Sequence, residues 1–236
     1  MKVAVLRFPG TWSENDFAHA LRQVGAEAEI LWHAEADLRG YDAAIVPGGF
    51  TYGDYLRAGA IAAISPAAAE LRRADKEGLP ILGSCNGFQI LCEIGLLPGA
   101  LVRNRQGEFR CDWVHLRVES ERTPFTAGLG GEILRMPIAH GEGCWVADEP
   151  TLARVEANGQ VVFRYTDARG AATPEANPNG STANIAGLAN ERGNVVGLMP
   201  HPERCSEALL GGTDGRRVLE ALTASRHNAM APASVQ

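Results

Sequence analysis

Apolar residues fall into short runs along the first hundred positions, and each run is closed by residues that break regular structure. Val3–Leu6 reads as a strand buried on both faces, ended by Phe8-Pro9-Gly10. Ser13 is placed to cap a helix whose apolar stripe, Phe17, Ala20, Leu21 and Val24, has helical spacing, and Gly25 ends it. Ala28–Trp32 and Ala43–Val46 predict two more strands, the second stopped by Pro47-Gly48-Gly49. An Ala-rich segment broken at Ser65-Pro66 predicts helix to about Glu77, with Gly78 where a helix stop belongs. Pro80–Gly83 then reads as strand, and Phe88–Glu93 as the start of a helix. Strand and helix in alternation mean a parallel sheet covered on both faces.

After Ala100 the rhythm changes. Val114–Val118, Ile133–Met136, Leu152–Glu156 and Val161–Tyr165 predict short alternating strands, and Asn158-Gly159 predicts a hairpin turn before the last of them. Thr173–Thr182 is rich in Pro, Asn, Gly and Ser and reads as an ordered or functional surface loop. Ile185–Leu188 and Val195–Met199 are strands on either side of an Arg192-Gly193 turn, and a last helix runs from about Gly215 to Ala224. The expected architecture is α/β, a single-domain, open, mostly parallel sheet of flavodoxin-like type with an added antiparallel strand region. The domain spans 1–226, with 227–236 a loose tail.

Composition narrows what such a domain could bind. The 236 residues carry 22 Lys+Arg against 28 Asp+Glu, a formal net charge of −6, which disfavours nucleic acid or an anionic membrane as partner. Of the two lysines, Lys2 and Lys76, neither closes a phosphate-binding G-x-x-x-x-G-K-[ST] loop, so a P-loop site is excluded. Five cysteines (85, 92, 111, 144 and 205) form an odd set with no C-x-x-C pair, which suits a reducing cytoplasm better than a disulfide framework or zinc cluster. No apolar run approaches the roughly 18–20 residues that span a bilayer, and the first residues read as a strand, not a signal peptide.

The sharpest chemical feature is Gly83-Ser84-Cys85-Asn86-Gly87, set between a predicted strand and a predicted helix. A nucleophile on such a turn needs small neighbours on both sides, and the helix N-terminus behind it favours a thiolate. A buried cysteine beside a packing glycine would give the same pentapeptide. Two His-x-Glu triplets compete for the role of acid/base partner. In an extended segment, i and i+2 share a side, so the Glu can hold its His in one tautomer. His201-Pro202-Glu203 is stiffened by proline and follows a strand directly, where open α/β sheets keep their sites. His140-Gly141-Glu142 is looser and reads as lining for a substrate. Pro47-Gly48-Gly49-Phe50 could bring backbone N–H donors to a developing oxyanion, or be a plain β-turn. Cys92 reads as core, Cys111, Cys144 and Cys205 as structural, and His115 and His19 have no second metal ligand in sight.

Cys85 in G-x-C-x-G with Gln89 after it, the Gly-Gly turn before it and His-x-Glu near the end resemble class I glutamine amidotransferases. The stretches 8–11, 47–57, 85–91, 138–143, 177–181 and 199–204 together resemble the family of glutaminase subunits of phosphoribosylformylglycinamidine synthase. The likeness extends from Phe8 to Arg204. One departure is Trp12-Ser13, where that family commonly has Asn-Cys; it bears on local packing or an interface detail near the first loop, and neither position is expected to carry the chemistry. The resemblance implies Cys85 as nucleophile, His201 as proton shuttle and Glu203 as its orienting partner. It implies an oxyanion hole from the amides of Gly49 and Asn86, and glutamine binding by Gln89, Gly141 and Glu142. It also implies no metal and no cofactor on this chain. ATP and magnesium would sit on a separate synthetase subunit that receives the ammonia, and a small third subunit is left open. Two other readings stand beside this one. A thiol hydrolase of the α/β-hydrolase kind would order its residues nucleophile, acid, His, whereas here the Glu follows the His. The second is a non-catalytic regulatory subunit on the same scaffold.

Overall fold

The continuous apolar run at the N-terminus forms the centre of the parallel half of the sheet. In the computed structural model, which describes residues 1–230, the strands in chain order are β1 (Lys2–Arg7), β2 (Glu27–Trp32), β3 (Ala43–Val46), β4 (Ile81–Ser84), β5 (Ala100–Val102), β6 (Arg110–Val118), β7 (Ile133–His140), β8 (Cys144–Val146), β9 (Val161–Thr166), β10 (Ile185–Ala189) and β11 (Val195–Leu198). The helices are α1 (Glu14–Gln23), α2 (Pro66–Lys76), α3 (Asn86–Glu93), α4 (Glu149–Ala157) and α5 (Asp214–Met230). Among the described residues, nine strands make one sheet in the order β2-β1-β3-β4-β11-β10-β9-β6-β7, and β5 pairs with β8 separately. From β2 to β11 all neighbours are parallel, and from β11 to β7 all are antiparallel. The antiparallel strands thus continue the same sheet.

Side chains alternate across a strand, so a run of apolar residues feeds two cores. Val3 and Val5 of β1 join Phe17 and Leu21 of α1 and Leu219 and Leu222 of α5 on one face. Ala4 and Leu6 join Leu71 of α2 and Phe88 and Ile90 of α3 on the other. Ser65 breaks the Ala-rich segment as foreseen: its Oγ accepts the N–H of Ala68 and caps α2, with Pro66 in the first turn.

Three expectations are corrected. Leu152–Glu156 is not a strand but lies in α4, where Asp148 Oδ1 accepts the N–H of Thr151 as an N-cap and Val155 is the buried contact. Asn158-Gly159 accordingly ends a helix instead of turning a hairpin. Gly159 has φ +62° and its N–H returns to Glu156 O. Asn-Gly serves either purpose because both turns need a residue at positive φ. The final helix also continues past Ala224 to Met230, so 227–230 belong to α5 and not to a tail; the expected looseness of 231–236 lies outside the described residues. No helix among the described residues is long and apolar enough to cross a membrane.

The glycines around Cys85 show how tightly β4, α3 and β3 are joined. A Cβ on Gly87 would stand 1.9 Å from Val46 O, and one on Gly83 would stand 2.7 Å from the Gly87 carbonyl. Neither neighbour is a flexible side chain, so the helix itself would have to move. Gly87→Ala is therefore expected to destabilise the fold by about 3 kcal/mol, read as a lowered denaturant midpoint. An unchanged midpoint would show that α3 is not held against β3 in this way.

Candidate active site

Three adjacent parallel strands, β3, β4 and β11, end side by side, and each delivers one part of a site from its carboxyl end. Cys85 follows β4 with φ +51° and ψ −107°, a conformation that L-residues adopt at a cost. Its own N–H donates to Leu198 O of β11 at 2.8 Å, and Ser84 Oγ donates to Pro200 O at 3.0 Å, so the elbow is tied to the segment carrying His201. Asn86 opens α3, and the first-turn N–H groups of a helix have no partner within it.

Behind β3, Gly48 and Gly49 are required by close approach. A Cβ on Gly48 would stand 2.6 Å from His201 Cε1, and one on Gly49 would stand 2.5 Å from Gly10 O. Trp12 N–H and Ser13 N–H both donate to Gly48 O, and Phe50 N–H donates to Gly10 O. That pairing turns the Gly49 N–H away from the Gly10–Trp12 segment, on the side where Gly49 lines a cavity with Cys85. Ser13 does not make the expected side-chain cap. It stands at the N-cap position of α1 without a capping bond, and its Oγ instead accepts the Gly48 N–H at 3.0 Å. The position that departs from the resembled family thus holds the donor turn in place.

His201 and Glu203 form a buried pair, but not on the expected extended segment: Pro202–Cys205 is a short 3-10 helix, with His201 at its N-cap and Pro202 at its start. His201 Nδ1 lies 2.7 Å from Glu203 Oε1, with the two side chains 4% and 0% exposed. Burial opposes a charge on the imidazole, but the Glu203 carboxylate and the Cys85 sulfur outweigh it and raise the His201 pKa above its ordinary value. His201 N–H donates to Pro137 O of β7, and the Cys85 sulfur lies 3.7 Å from Ala139 O, so β7 runs beside both residues.

Cys85 is flanked by two hollows. A small one of about 50 Å³ holds Gly48, Gly49 and His201; a larger one of about 330 Å³ includes Gln89, Asp54, Arg103, His140, Gly141 and Glu142. The expected glutamine-binding residues therefore share one cavity with the nucleophile candidate. Gln89 Nε2 donates to Glu142 O at 2.6 Å, and its Oε1 accepts from Asn86 Nδ2 at 2.8 Å. Asn86 Nδ2 is also within 3.3 Å of Asp54 Oδ1, and its Oδ1 accepts from Thr51 N. Burial, and then the charge of Glu142, push the Asp54 carboxyl up to about 6.

His140, 2% exposed, is held by Asn104. Burial and then the charge of His201 lower its pKa to about 4. Unfolded, the same side chain would bind a proton near its ordinary 6.5. Between those values the unfolded chain binds more protons than the native one, so this residue makes stability fall as pH drops from 6.5 toward 4. His140→Gln should therefore flatten the loss of stability over that window, measured by denaturant titration at several pH values. An unchanged slope would place the cost elsewhere.

Asn104, Asp54 and Ser13 carried no spacing signal that would have singled them out. Asn104 sits in a polar loop, and its partners come from β7 and the turn after it. The Asn177–Ser181 loop buttresses that turn: Asn179 Nδ2 donates to Gly143 O at 2.8 Å and Ser181 Oγ accepts from Trp145 N–H. Cys144 and Cys205 are buried, Cys92 is partly so, and Cys111 is exposed on β6. His115 lies in β6, and His19 contacts Glu207 and Gln23. Among the described residues, no cluster of three or more His, Cys, Asp or Glu is placed to hold a metal ion.

A sheet with a cysteine elbow at this position defines a class, and residues 1–213 match the family model of a CobB/CobQ-like glutamine amidotransferase domain. Relatives are more particular. Phosphoribosylformylglycinamidine synthase subunit PurQ of Thermomicrobium roseum is 57% identical over 93% of this chain and 94% of that protein. PurQ of Methanosarcina acetivorans is 54% identical over 94% and 97%. A chain from the structure of PurLQS from Thermotoga maritima superposes with a TM-score of 0.84 at 44% identity, covering 95% of this chain and 98% of that one. The chain belongs to the PurQ family of phosphoribosylformylglycinamidine synthase subunits.

Proposed function

We propose that this chain is the glutaminase subunit of a phosphoribosylformylglycinamidine synthase. It hydrolyses glutamine through a cysteine thioester and passes ammonia to a synthetase subunit, which makes formylglycinamidine ribonucleotide from formylglycinamide ribonucleotide and ATP. The observation that carries this reading is the meeting of Cys85, on its positive-φ elbow, with the buried His201–Glu203 pair at neighbouring strand ends.

In this reading the Cys85 sulfur attacks the side-chain carbonyl carbon of glutamine, and the N–H groups of Gly49 and Asn86 hold the oxyanion. The C–N bond breaks as His201 gives a proton to the nitrogen, and ammonia leaves. Water then attacks the thioester and gives its proton to His201, and the Cys85 sulfur is released with glutamate. Glu203 holds His201 Nδ1 and fixes the imidazole, so that Nε2 faces the chemistry. Gln89, Gly141 and Glu142 hold the substrate, Gln89 by fixing the Glu142 carbonyl and Asn86 together. The nucleotide and magnesium chemistry is assigned to the partner. Five free thiols fit the reducing cytoplasm.

The test is isotopic. Glutamine labelled with ¹⁵N in its side-chain amide is given to the complex of this chain with the synthetase, ATP and formylglycinamide ribonucleotide. The reading expects the label in the amidine product and one glutamate per product. Unlabelled amidine, or none formed from glutamine while added ammonia is used, contradicts it.

A further inference from the structure

The mechanism above leaves unused a buried imidazole that lines the cavity of the nucleophile. His140 closes β7, immediately after Ala139, whose carbonyl lies 3.7 Å from the Cys85 sulfur. It lines the same cavity as Cys85 and Gln89, and its Nε2 is buried without a hydrogen-bond partner. An unmet polar atom costs free energy, so a site that keeps one has a use for it or fills it when occupied.

The tautomer of this ring follows from its neighbours. Asn104 Nδ2 donates to two carbonyls, His140 O at 2.8 Å and Glu108 O at 2.9 Å. Its Oδ1 accepts from Gly143 N–H at 3.0 Å and faces His140 Nδ1 at 3.2 Å. The amide orientation is thus set by three backbone groups, and an acceptor oxygen meets Nδ1. Nδ1 must carry the hydrogen, and Nε2 of the neutral ring is a bare lone pair. Gly143 gives the ring its room, since a Cβ there would stand 2.3 Å from His140 Cε1.

We propose that His140 is a substrate-contacting residue whose Nε2 accepts an N–H of the glutamine carboxamide, and that Asn104 is the positioning residue that fixes its tautomer. This rests on the glutaminase reading and deepens it. The carboxamide is preferred over the α-ammonium because β7 serves the reacting end, binding His201 through Pro137 O and facing Cys85 through Ala139 O. The carboxylates of Asp54 and Glu142 in the same cavity are the better partners for an ammonium.

Two imidazoles then divide the work. The charge on His201 and the burial of His140 both disfavour a proton on His140. His201 supplies the proton as the C–N bond breaks, while His140 accepts a hydrogen bond from the departing nitrogen without taking a proton from it. The nitrogen leaves as NH₃, with its lone pair free for the next electrophile.

The experiment compares two substrates of the complex with the synthetase: glutamine, and the γ-methyl ester of glutamate, whose leaving oxygen bears no N–H. His140→Leu is expected to lower kcat/KM for glutamine by about 10- to 100-fold and for the ester by less than about threefold. His140→Gln, which restores an acceptor, is expected to recover most of the glutamine rate. Equal losses on both substrates, or no loss on glutamine, overturn the proposal. Should His140→Leu fail to fold, ¹⁵N NMR of histidine-labelled full chain reads the tautomer directly. Hydrogen on Nδ1 and none on Nε2 at neutral pH supports the proposal, and hydrogen on Nε2 overturns it. A wild-type complex that turns over neither substrate contradicts the glutaminase reading itself.

Discussion

Cys85→Ala is expected to abolish glutamine-dependent amidine synthesis by the complex and to leave synthesis from added ammonium salt at the wild-type rate. No neighbouring thiol can substitute. Burial pushes the Cys205 thiol up to about 12 and raises those of Cys92 and Cys144, and Cys111 lies on an exposed stretch of β6. Loss of the only group able to form the thioester removes the covalent path, so the fall should be about 10⁴-fold or more. The ammonia control separates chemistry from folding, because a misfolded subunit would fail to support the complex with either nitrogen source. Residual glutamine turnover within a factor of about ten of wild type would contradict the assignment.

Glu203→Gln carries the second largest effect. Glu203 is fully buried, and Oε1 holds His201 Nδ1 at 2.7 Å. A glutamine amide in that place can present its own N–H to Nδ1, which would leave the hydrogen on Nε2, the atom needed to receive a proton. Glutamine kcat should fall about 10²- to 10⁴-fold with little change in KM. A readout independent of rate is available. The carboxylate is a main cause of the raised His201 pKa, so the substitution should lower the imidazole pKa, followed by NMR. The stability difference between the two proteins should be largest below pH 6.5 and shrink as the pH climbs through the raised native value, since a raised imidazole pKa stabilises only while the proton is bound. A fall in rate with an unmoved His201 pKa would mean that Glu203 acts only by packing.

How much of this was legible in the residues depends on how local the cause is. The strands of the parallel half were readable because runs such as Val3–Leu6 are apolar throughout and are bounded by Pro and Gly. The elbow was readable because its two glycines answer a contact at fixed sequence distance, Gly83 against Gly87, even though the closest contact, Gly87 against Val46 O, is long-range. His201 and Glu203 were readable because residues two apart around a proline are close enough to orient each other, although Glu203 lies in the 3-10 turn Pro202–Cys205 that His201 opens and not on an extended segment. Leu152–Glu156 was misread because five residues of alternation fit a strand as well as one side of a helix, and the Asp148 cap that decides the matter lies outside them. Ser13, Asn104 and Asp54 were not legible as parts of the site. Each acts through a partner about 35 residues away or through burial, as with Ser13 on Gly48 and Asn104 on His140. Nothing in local spacing encodes such a pairing.

The order of the acid and the histidine also distinguishes the readings open at the start. Glu203 follows His201 by two residues, whereas an α/β-hydrolase places its acid before the histidine. A regulatory subunit without activity would have no need for a strained Cys85, a buried ion pair beside it and two glycines that clear space for the imidazole and the donor turn.

Covalent labelling tests the central claim most directly. The full chain in its complex is treated with an electrophilic diazoketone analogue of glutamine, and each cysteine peptide is examined by mass spectrometry with and without excess glutamine. The account predicts a single adduct on Cys85, prevented by glutamine and absent after His201→Ala, while a simple alkylating agent marks exposed Cys111 regardless of glutamine. An adduct on any other cysteine, or one on Cys85 that glutamine does not prevent, would contradict it.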